Sequence, residues 1–217
     1  MAHIRLQDRS TRPVANIYCI GRNYAAHAAE LGNQVEEEPV VFLKPTSALL
    51  PEGEPIRLPA FSNDVHFETE LVLLIGQGGK SIAPHAAWSH IEGYGLGLDL
   101  TARDLQTVAK RKGLPWTLAK GFDGAAVLSE FIPAAAVTDP TTLSFSLDID
   151  GERRQRGEIA RMVFDIPTLL AYLSSRFTLQ AGDLIFTGTP EGVGPLHSGN
   201  RLLLQLDGHL EARFDVA

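Results

Sequence analysis

The 217-residue chain has one cysteine, Cys19, so no intrachain disulfide can form. Cys19 lies in the apolar stretch Asn16-Ile17-Tyr18-Cys19-Ile20, where a thiol is expected to pack as a small buried hydrophobe rather than react. Basic residues are in deficit: 19 Lys and Arg face 26 Asp and Glu, a formal net charge of −7. That balance excludes the basic footprint of a nucleic-acid-binding protein. The acidic residues are scattered, so the charge favours solubility and makes no acidic tail. Long apolar runs are also missing. Stretches such as Leu71 to Ile75 fall far short of the ~20 residues that span a bilayer. The opening Met1-Ala2-His3-Ile4-Arg5 leads into polar residues and not into the apolar core of a signal peptide. No membrane association is expected, and a cytoplasmic location is. There is no internal repeat or low-complexity segment, and the 13 Pro and 20 Gly are spread as turn punctuation.

What remains is a globular composition, 44% hydrophobic and 21% charged. One large domain of this length buries ~70% of its unfolded surface without help from a disulfide or a metal. Strand signals dominate. Apolar or alternating runs are expected as strands over 17–20, 40–43, 65–75, 94–100, 143–149, 184–187 and 201–206. Asp150-Gly151 reads as a two-residue hairpin turn, which needs positive φ at both positions, and Asp207-Gly208 as a second hairpin. Helices are few and short: 23–31, 84–91, 101–112 and 166–176. For the third, Thr101 is the expected cap and Gly113 the stop. The strands and helices do not alternate regularly, so a β-rich α+β domain is expected and a doubly wound sheet is not.

Several segments carry possible chemistry. In Val65-His66-Phe67-Glu68-Thr69-Glu70, residues two apart on a strand share a face, so Glu68 and Glu70 project together. They lead into an apolar run, where paired carboxylates need a cation, a proton or open water; a solvated strand face is the alternative. Asp99 ends another apolar strand, either as a third carboxylate or as a simple helix-entry acid. Three carboxylates form an all-oxygen set suited to Mg²⁺ or Mn²⁺ and not to structural zinc. The glycines of Gly93-Tyr-Gly95-Leu-Gly97 lie inside the strand, off the spacing of a dinucleotide fingerprint, and are expected to allow close packing.

Arg103 and Gln106 share one helix face, as a carboxylate-binding pair or as ordinary solvated residues. Lys120 has apolar neighbours; it is a surface charge or, if buried beside a metal, a group that stabilises a developing enolate. His27 and Glu30 are three apart on a short alanine-rich helix, as a general base with its orienting acid or as a plain surface pair. The polar stretch 32–38 that follows is a candidate mobile lid. The loop Thr187-Gly188-Thr189-Pro190-Glu191-Gly192-Val193-Gly194 has no Gly-Lys-Ser/Thr and is not a P-loop; it binds a carboxylate or is only a turn.

The order of these motifs resembles the fumarylacetoacetate hydrolase family, and within it the small acylpyruvase and oxaloacetate decarboxylase branch. The series is Gly21-Arg-Asn-Tyr24, His27-x-x-Glu30, Phe42-Leu-Lys-Pro45, His66-Phe-Glu68-Thr-Glu70, Leu98-Asp99-Leu-Thr-Ala-Arg103-Asp, Trp116-x-x-x-Lys120 and Thr187-Gly-Thr-Pro-x-Gly-Val-Gly194. It runs from about Ile17 to the C-terminus. The resemblance implies one catalytic domain over 1–217, with 1–16 as an N-terminal extension, folded as the family's mixed β-roll with few short helices. It implies a homodimer with one Mg²⁺ or Mn²⁺ per site, held by Glu68, Glu70 and Asp99. His27 and Glu30 become the water-activating pair on a lid, and Arg103, Gln106, Lys120 and Thr189 face the substrate. Residue 67 is Phe where relatives often carry a second His; alternation turns it away from Glu68 and Glu70, so metal binding is expected to survive.

The implied activity is hydrolysis of the C3–C4 bond of an acylpyruvate, such as acetylpyruvate or fumarylpyruvate, to pyruvate and a carboxylic acid through a metal-stabilised enolate. Oxaloacetate reaches the same enolate by losing CO₂, or by keto–enol exchange, without an attacking water. Oxaloacetate decarboxylase or tautomerase is therefore the alternative activity.

Overall fold

The computed structural model describes residues 2–32 and 34–217. Asn33, within the stretch read as a lid, lies outside the described residues. The backbone is a β-rich α+β roll. Its main sheet has eight strands, in the order Val40–Lys44, Ile17–Gly21, Leu184–Phe186, Thr69–Ile75, Ile91–Asp99, Ala126–Leu128 and Leu49–Pro51, with Ile132–Pro133 pairing onto Ile91–Asp99. Two pairings are parallel, Leu184–Phe186 with Ile17–Gly21 and Ala126–Leu128 with Leu49–Pro51, so the sheet is mixed. A four-stranded antiparallel sheet is ordered Glu152–Glu158, Ser144–Ile149, Arg201–Leu206 and Leu210–Asp215.

The central strand Thr69–Ile75 is buried throughout, which explains why it reads as a continuous apolar run and not an alternation. Its neighbour Ile91–Asp99 carries glycine at every second position so that aromatic side chains can lie on it. A methyl on Gly97 would stand 2.6 Å from the Phe186 ring and 2.9 Å from the Val127 carbonyl oxygen. Gly97→Ala is therefore expected to cost about 1–3 kcal/mol in a urea titration, the range for overpacking a dense core. An unchanged midpoint would show that Phe186 has room to move.

The Asp150-Gly151 hairpin has the expected backbone, φ +53° and +85°. Asp207-Gly208 also lies in a hairpin, joining Arg201–Leu206 to Leu210–Asp215. Four α-helices form among the described residues: α1 (Ala25–Glu30), α2 (Arg103–Lys112), α3 (Thr117–Lys120) and α4 (Ile166–Arg176). The expected helix over 84–91 is a 3₁₀ segment, Pro84–His90. α3 had no signal in the sequence pattern because four residues are too few to show a period. Thr101 does not cap α2. It sits in the short strand Thr101–Ala102, and its hydroxyl donates to the Asp99 carbonyl at 3.0 Å. Pairing with Val65–Phe67 holds it there, and α2 starts from Ala102 with no side-chain cap.

The expected single strand 65–75 breaks at Glu68. Val65–Phe67 joins a three-stranded sheet with Thr101–Ala102 and Gly194–Pro195, while Thr69–Ile75 enters the main sheet. The partner strand changes sheets at the same level, where the Asp99 N–H donates to the Glu68 carbonyl at 2.8 Å. This shared break turns three carboxylates toward one point.

Candidate active site

Glu68, Glu70 and Asp99 are buried, with 5%, 1% and 2% of their surfaces exposed. Each offers an oxygen within 4.8 Å of the others. Two lysines and an arginine surround them. Lys120 Nζ donates to Glu68 Oε2 and to Asp99 Oδ2, each at 2.7 Å. Arg103 holds the other oxygen of Glu68. Lys44 Nζ, also buried, lies 2.7 Å from Asp99 Oδ1 and donates to the backbone carbonyls of Leu100 and Lys120.

These cations serve Glu68 and Asp99 and leave out Glu70. Among the described residues no cation pairs with Glu70; its carboxyl accepts the Gly188 N–H at 2.6 Å. Burial, reinforced by Asp99 and Glu68, pushes the Glu70 carboxyl well above its usual range. Burial alone would raise Glu68 too, but Lys120 and Arg103 reverse that and hold it well below. Lys120 is held charged: burial opposes the ammonium, and Asp99 with Glu68 outweighs burial. The acidic centre thus lacks positive charge at one oxygen-lined spot, beside Glu70. A hard divalent cation fits that donor set.

His27 stands over this centre on α1. It is 4% exposed, and its Nδ1 is 3.4 Å from Glu30 Oε2. The Gly192 N–H donates to the same carboxylate, at 3.1 Å to one oxygen and 3.3 Å to the other, tying α1 to the glycine-rich loop. With Nδ1 turned to Glu30, Nε2 is the ring nitrogen left to accept a proton. Burial pushes the imidazole below its usual value, against the opposing pull of Glu68 and Glu30. Burial thus favours the neutral imidazole, the form that can act as a base.

One cavity of about 30 Å³ joins His27, Glu68, Glu70, Gln106, Lys120 and Thr189, with Arg103 also on its wall. Asp99 lies behind Lys120, and Glu30 lies beside His27. All nine residues singled out in the sequence therefore meet. The cavity holds about one water, and His27 is the residue of α1 on its wall. A much larger groove of about 1130 Å³ lies beside the N-terminal hairpin and contains none of these residues. Phe67 is buried and packs toward Gly194, so it leaves the cavity wall to Glu68 and Glu70.

The motif reading passed over some residues at this site. Lys44 stands inside Phe42-Leu43-Lys44-Pro45, quoted above without a role. Gln155 is 1% exposed, in a strand otherwise rich in charge. Its Oε1 accepts the N–H of Thr69, between the two glutamates, at 2.9 Å. Its Nε2 donates to Thr189 Oγ1 at 2.9 Å and to the Pro190 carbonyl at 2.8 Å. Because the Thr189 oxygen accepts from Gln155, its own proton is left to donate into the cavity. The signal was a glutamine on the buried side of an alternating hairpin.

A mixed β-roll with an acidic, cation-ready centre beneath a His–Glu pair defines an enzyme that works with a divalent metal. The chain belongs to the fumarylacetoacetate hydrolase family: the family described as Fumarylacetoacetate (FAA) hydrolase C-terminal matches residues 16–216. It is 50% identical over 209 residues to oxaloacetate tautomerase FAHD1, mitochondrial, of Arabidopsis thaliana, covering 96% of this chain and 94% of the relative. It is 48% identical over 198 residues to oxaloacetate tautomerase YcgM of Escherichia coli K12, covering 91% and 90%. It superimposes with a TM-score of 0.95 on the crystal structure of fumarylpyruvate hydrolase from Pseudomonas aeruginosa in complex with Mn²⁺ and pyruvate, at 41% identity and over 100% and 95% of the two chains. No helix among the described residues is long and apolar enough to cross a membrane.

Proposed function

We propose that the chain is an acylpyruvate hydrolase of the cytoplasm that uses Mg²⁺ or Mn²⁺ at Glu68, Glu70 and Asp99 and acts as a homodimer. The observation that carries the hydrolase reading is the His27–Glu30 pair above the acidic centre, an oriented base placed to take a proton from an attacking water. When bound, the cation would supply Lewis acidity to the oxygens of a 2-oxo acid. Arg103, Gln106 and Thr189 supply donors for the pyruvoyl carboxylate and 2-oxo group, Arg103 and Gln106 from one face of α2. His27 Nε2 takes a proton from water, with Glu30 holding Nδ1. The resulting hydroxide attacks C4, and the C3–C4 bond breaks. Its electrons pass through C3 toward the 2-oxo oxygen, and Lys120 is placed to stabilise that charge. The proton held by His27 can then return to C3, giving pyruvate and a carboxylic acid that loses its own proton to solvent.

Oxaloacetate tautomerisation is the second reading, favoured by the names of the two relatives at 48% and 50% identity. It needs a proton moved at C3 and no attacking water. Decarboxylation of oxaloacetate uses the same charge stabilisation. For the homodimer, the support is the edge strand Val40–Lys44, where Leu43 is 44% exposed, beside Leu114 at 53% and Leu118 at 80%. Sedimentation equilibrium measures that association directly.

The deciding assay follows pyruvate released from an acylpyruvate and from oxaloacetate, each with Mg²⁺ and with EDTA, beside the enol absorbance of oxaloacetate. The expected result is Mg²⁺-dependent pyruvate release that is faster from the acylpyruvate. Loss of enol absorbance without pyruvate would replace the hydrolase reading with tautomerisation.

A further inference from the structure

The glycine-rich loop touches three parts of the site. The Gly188 N–H reaches Glu70, Thr189 lines the cavity, and the Gly192 N–H reaches Glu30. A side chain from another sheet holds this loop. It is Gln155, on the edge strand Glu152–Glu158 of the four-stranded sheet.

A β-bulge aims Gln155. The register of Glu152–Glu158 against Ser144–Ile149 slips between the pairs Leu147–Gln155 and Asp148–Arg153, which makes Arg154 the extra residue. Bulges bend a strand and re-aim its side chains. This one leaves Glu152, Arg153 and Arg154 exposed in succession and turns Gln155 inward. The loop is seated on the same bulge: a methyl on Gly192 would stand 2.2 Å from the Arg154 carbonyl oxygen.

The amide can sit in one orientation only. A backbone N–H only donates and a carbonyl only accepts. Oε1 therefore faces the Thr69 N–H at 2.9 Å, and Nε2 faces the Pro190 carbonyl at 2.8 Å. The reverse would set donor against donor and acceptor against acceptor. The remaining proton of Nε2 goes to Thr189 Oγ1 at 2.9 Å. An anchor for the loop needs only backbone partners, yet this amide also holds a side-chain hydroxyl on the cavity wall. The hydroxyl's own proton has no acceptor among the described residues.

We propose that Gln155 is a positioning residue: it fixes the Thr189 hydroxyl as a donor to an oxygen of the substrate's pyruvoyl end, and it ties that donor to the strand carrying the metal-binding glutamates. Thr69 stands between Glu68 and Glu70, so one buried amide sets the hydroxyl against the acidic centre. The proposal rests on a 2-oxo acid occupying this cavity, and it holds whichever bond of that acid is broken.

The test is a double-mutant cycle on the Mg²⁺-loaded full chain with acetylpyruvate. Thr189→Val removes the donor and is expected to lower kcat/KM by about 10- to 100-fold, the range for a hydrogen bond to a charged oxygen. Gln155→Met leaves the hydroxyl free to turn away and is expected to lower it by about tenfold. Added to Thr189→Val, it costs less than about threefold more, because no hydroxyl remains to be oriented. Losses that multiply overturn the proposal, as does parental activity in Gln155→Met. Two further readouts separate orientation from plain support of the loop. A slack loop would release Gly192 from Glu30 and Gly188 from Glu70, moving the acid limb of the pH profile and weakening Mn²⁺ binding by about tenfold or more. Both are expected to stay parental in Gln155→Met, because Thr69 and Glu70 keep their pairing with Leu98 and Gly97. A change in either leaves Gln155 as a loop support and overturns the proposal. Should Gln155→Met not fold, Gln155→Glu replaces it: its carboxylate still accepts from Thr69 but has no proton for Thr189, so the same pattern is expected. If the parent chain does not hydrolyse acetylpyruvate, the hydrolase reading fails and the cycle is run on pyruvate binding with Mn²⁺ by calorimetry. The same pattern of losses there upholds the role of Gln155. Binding that is equal in parent and variants, or absent from the parent, overturns it.

Discussion

His27→Ala lowers acylpyruvate hydrolysis by about 10²- to 10⁴-fold while the chain still binds its divalent cation. The expected size follows from the role: water loses its base, but Lys120, Arg103 and the acidic centre stay in place. Glu30→Gln is expected to cost less, because the imidazole keeps its position on α1 and loses only its orienting charge. The pH profile gives a second readout. The base form of His27 is the neutral one, and burial sets its pKa below the ordinary histidine value. Activity is therefore flat through neutral pH and falls only as acid protonates the ring, at a pH below about 6.5. That acid limb should be absent from whatever rate remains in His27→Ala. Hydrolysis that survives the substitution with an unchanged profile would remove His27 from the reaction. Enol exchange of oxaloacetate that falls in step with hydrolysis would instead mark His27 as a base acting at carbon.

Residue spacing alone revealed some of this arrangement, and its limits have physical reasons. His27 and Glu30 lie one helical turn apart, so three residues of sequence state their contact. Glu68 and Glu70 were legible as neighbours because strand side chains repeat every two residues, although the strand breaks at Glu68 itself. Asp99 joined them as a third carboxylate ending an apolar strand and through the motif order, but not through spacing, since its partners lie 29 and 31 positions away and pairing register is not a local property. Thr101 misled because its side chain suits a cap as well as a strand; the ladder with Val65–Phe67 decided the matter. Lys44 and Gln155 were the least visible. Each reaches the site from a different sheet edge or sheet, and a buried lysine or glutamine is spelled in the sequence like a surface one.

The contrast between Glu70 and Asp99 gives the second large effect. Both carboxylates are expected to hold the metal, so Glu70→Gln and Asp99→Asn should each weaken Mn²⁺ binding. Residues that merely support metal ligands already cost about 10- to 100-fold when removed, so loss of a ligand's charge should cost at least that. Calorimetry reads this directly. Without metal, the two variants part company. Glu70 is buried beside two other carboxylates with no cation against it, so its amide removes repulsion and relieves the cost of a buried acid. Metal-free Glu70→Gln is expected to unfold at the same urea concentration as the parent chain or a higher one. Asp99 has Lys44 and Lys120 against it, each 2% exposed, and among the described residues Asp99 is the one acid that pairs with Lys44. Asp99→Asn strands that ammonium in the core, and metal-free stability should drop by about 3–5 kcal/mol. Saturating Mn²⁺ at a hundred times its dissociation constant adds about 2.7 kcal/mol to the parent chain, and the same Mn²⁺ adds no more than about 1.4 kcal/mol to a variant whose affinity falls tenfold or more. Equal metal-free stabilities for the two variants would mean that Lys44 finds its compensation elsewhere. Unchanged Mn²⁺ affinity in both would move the cation away from this centre.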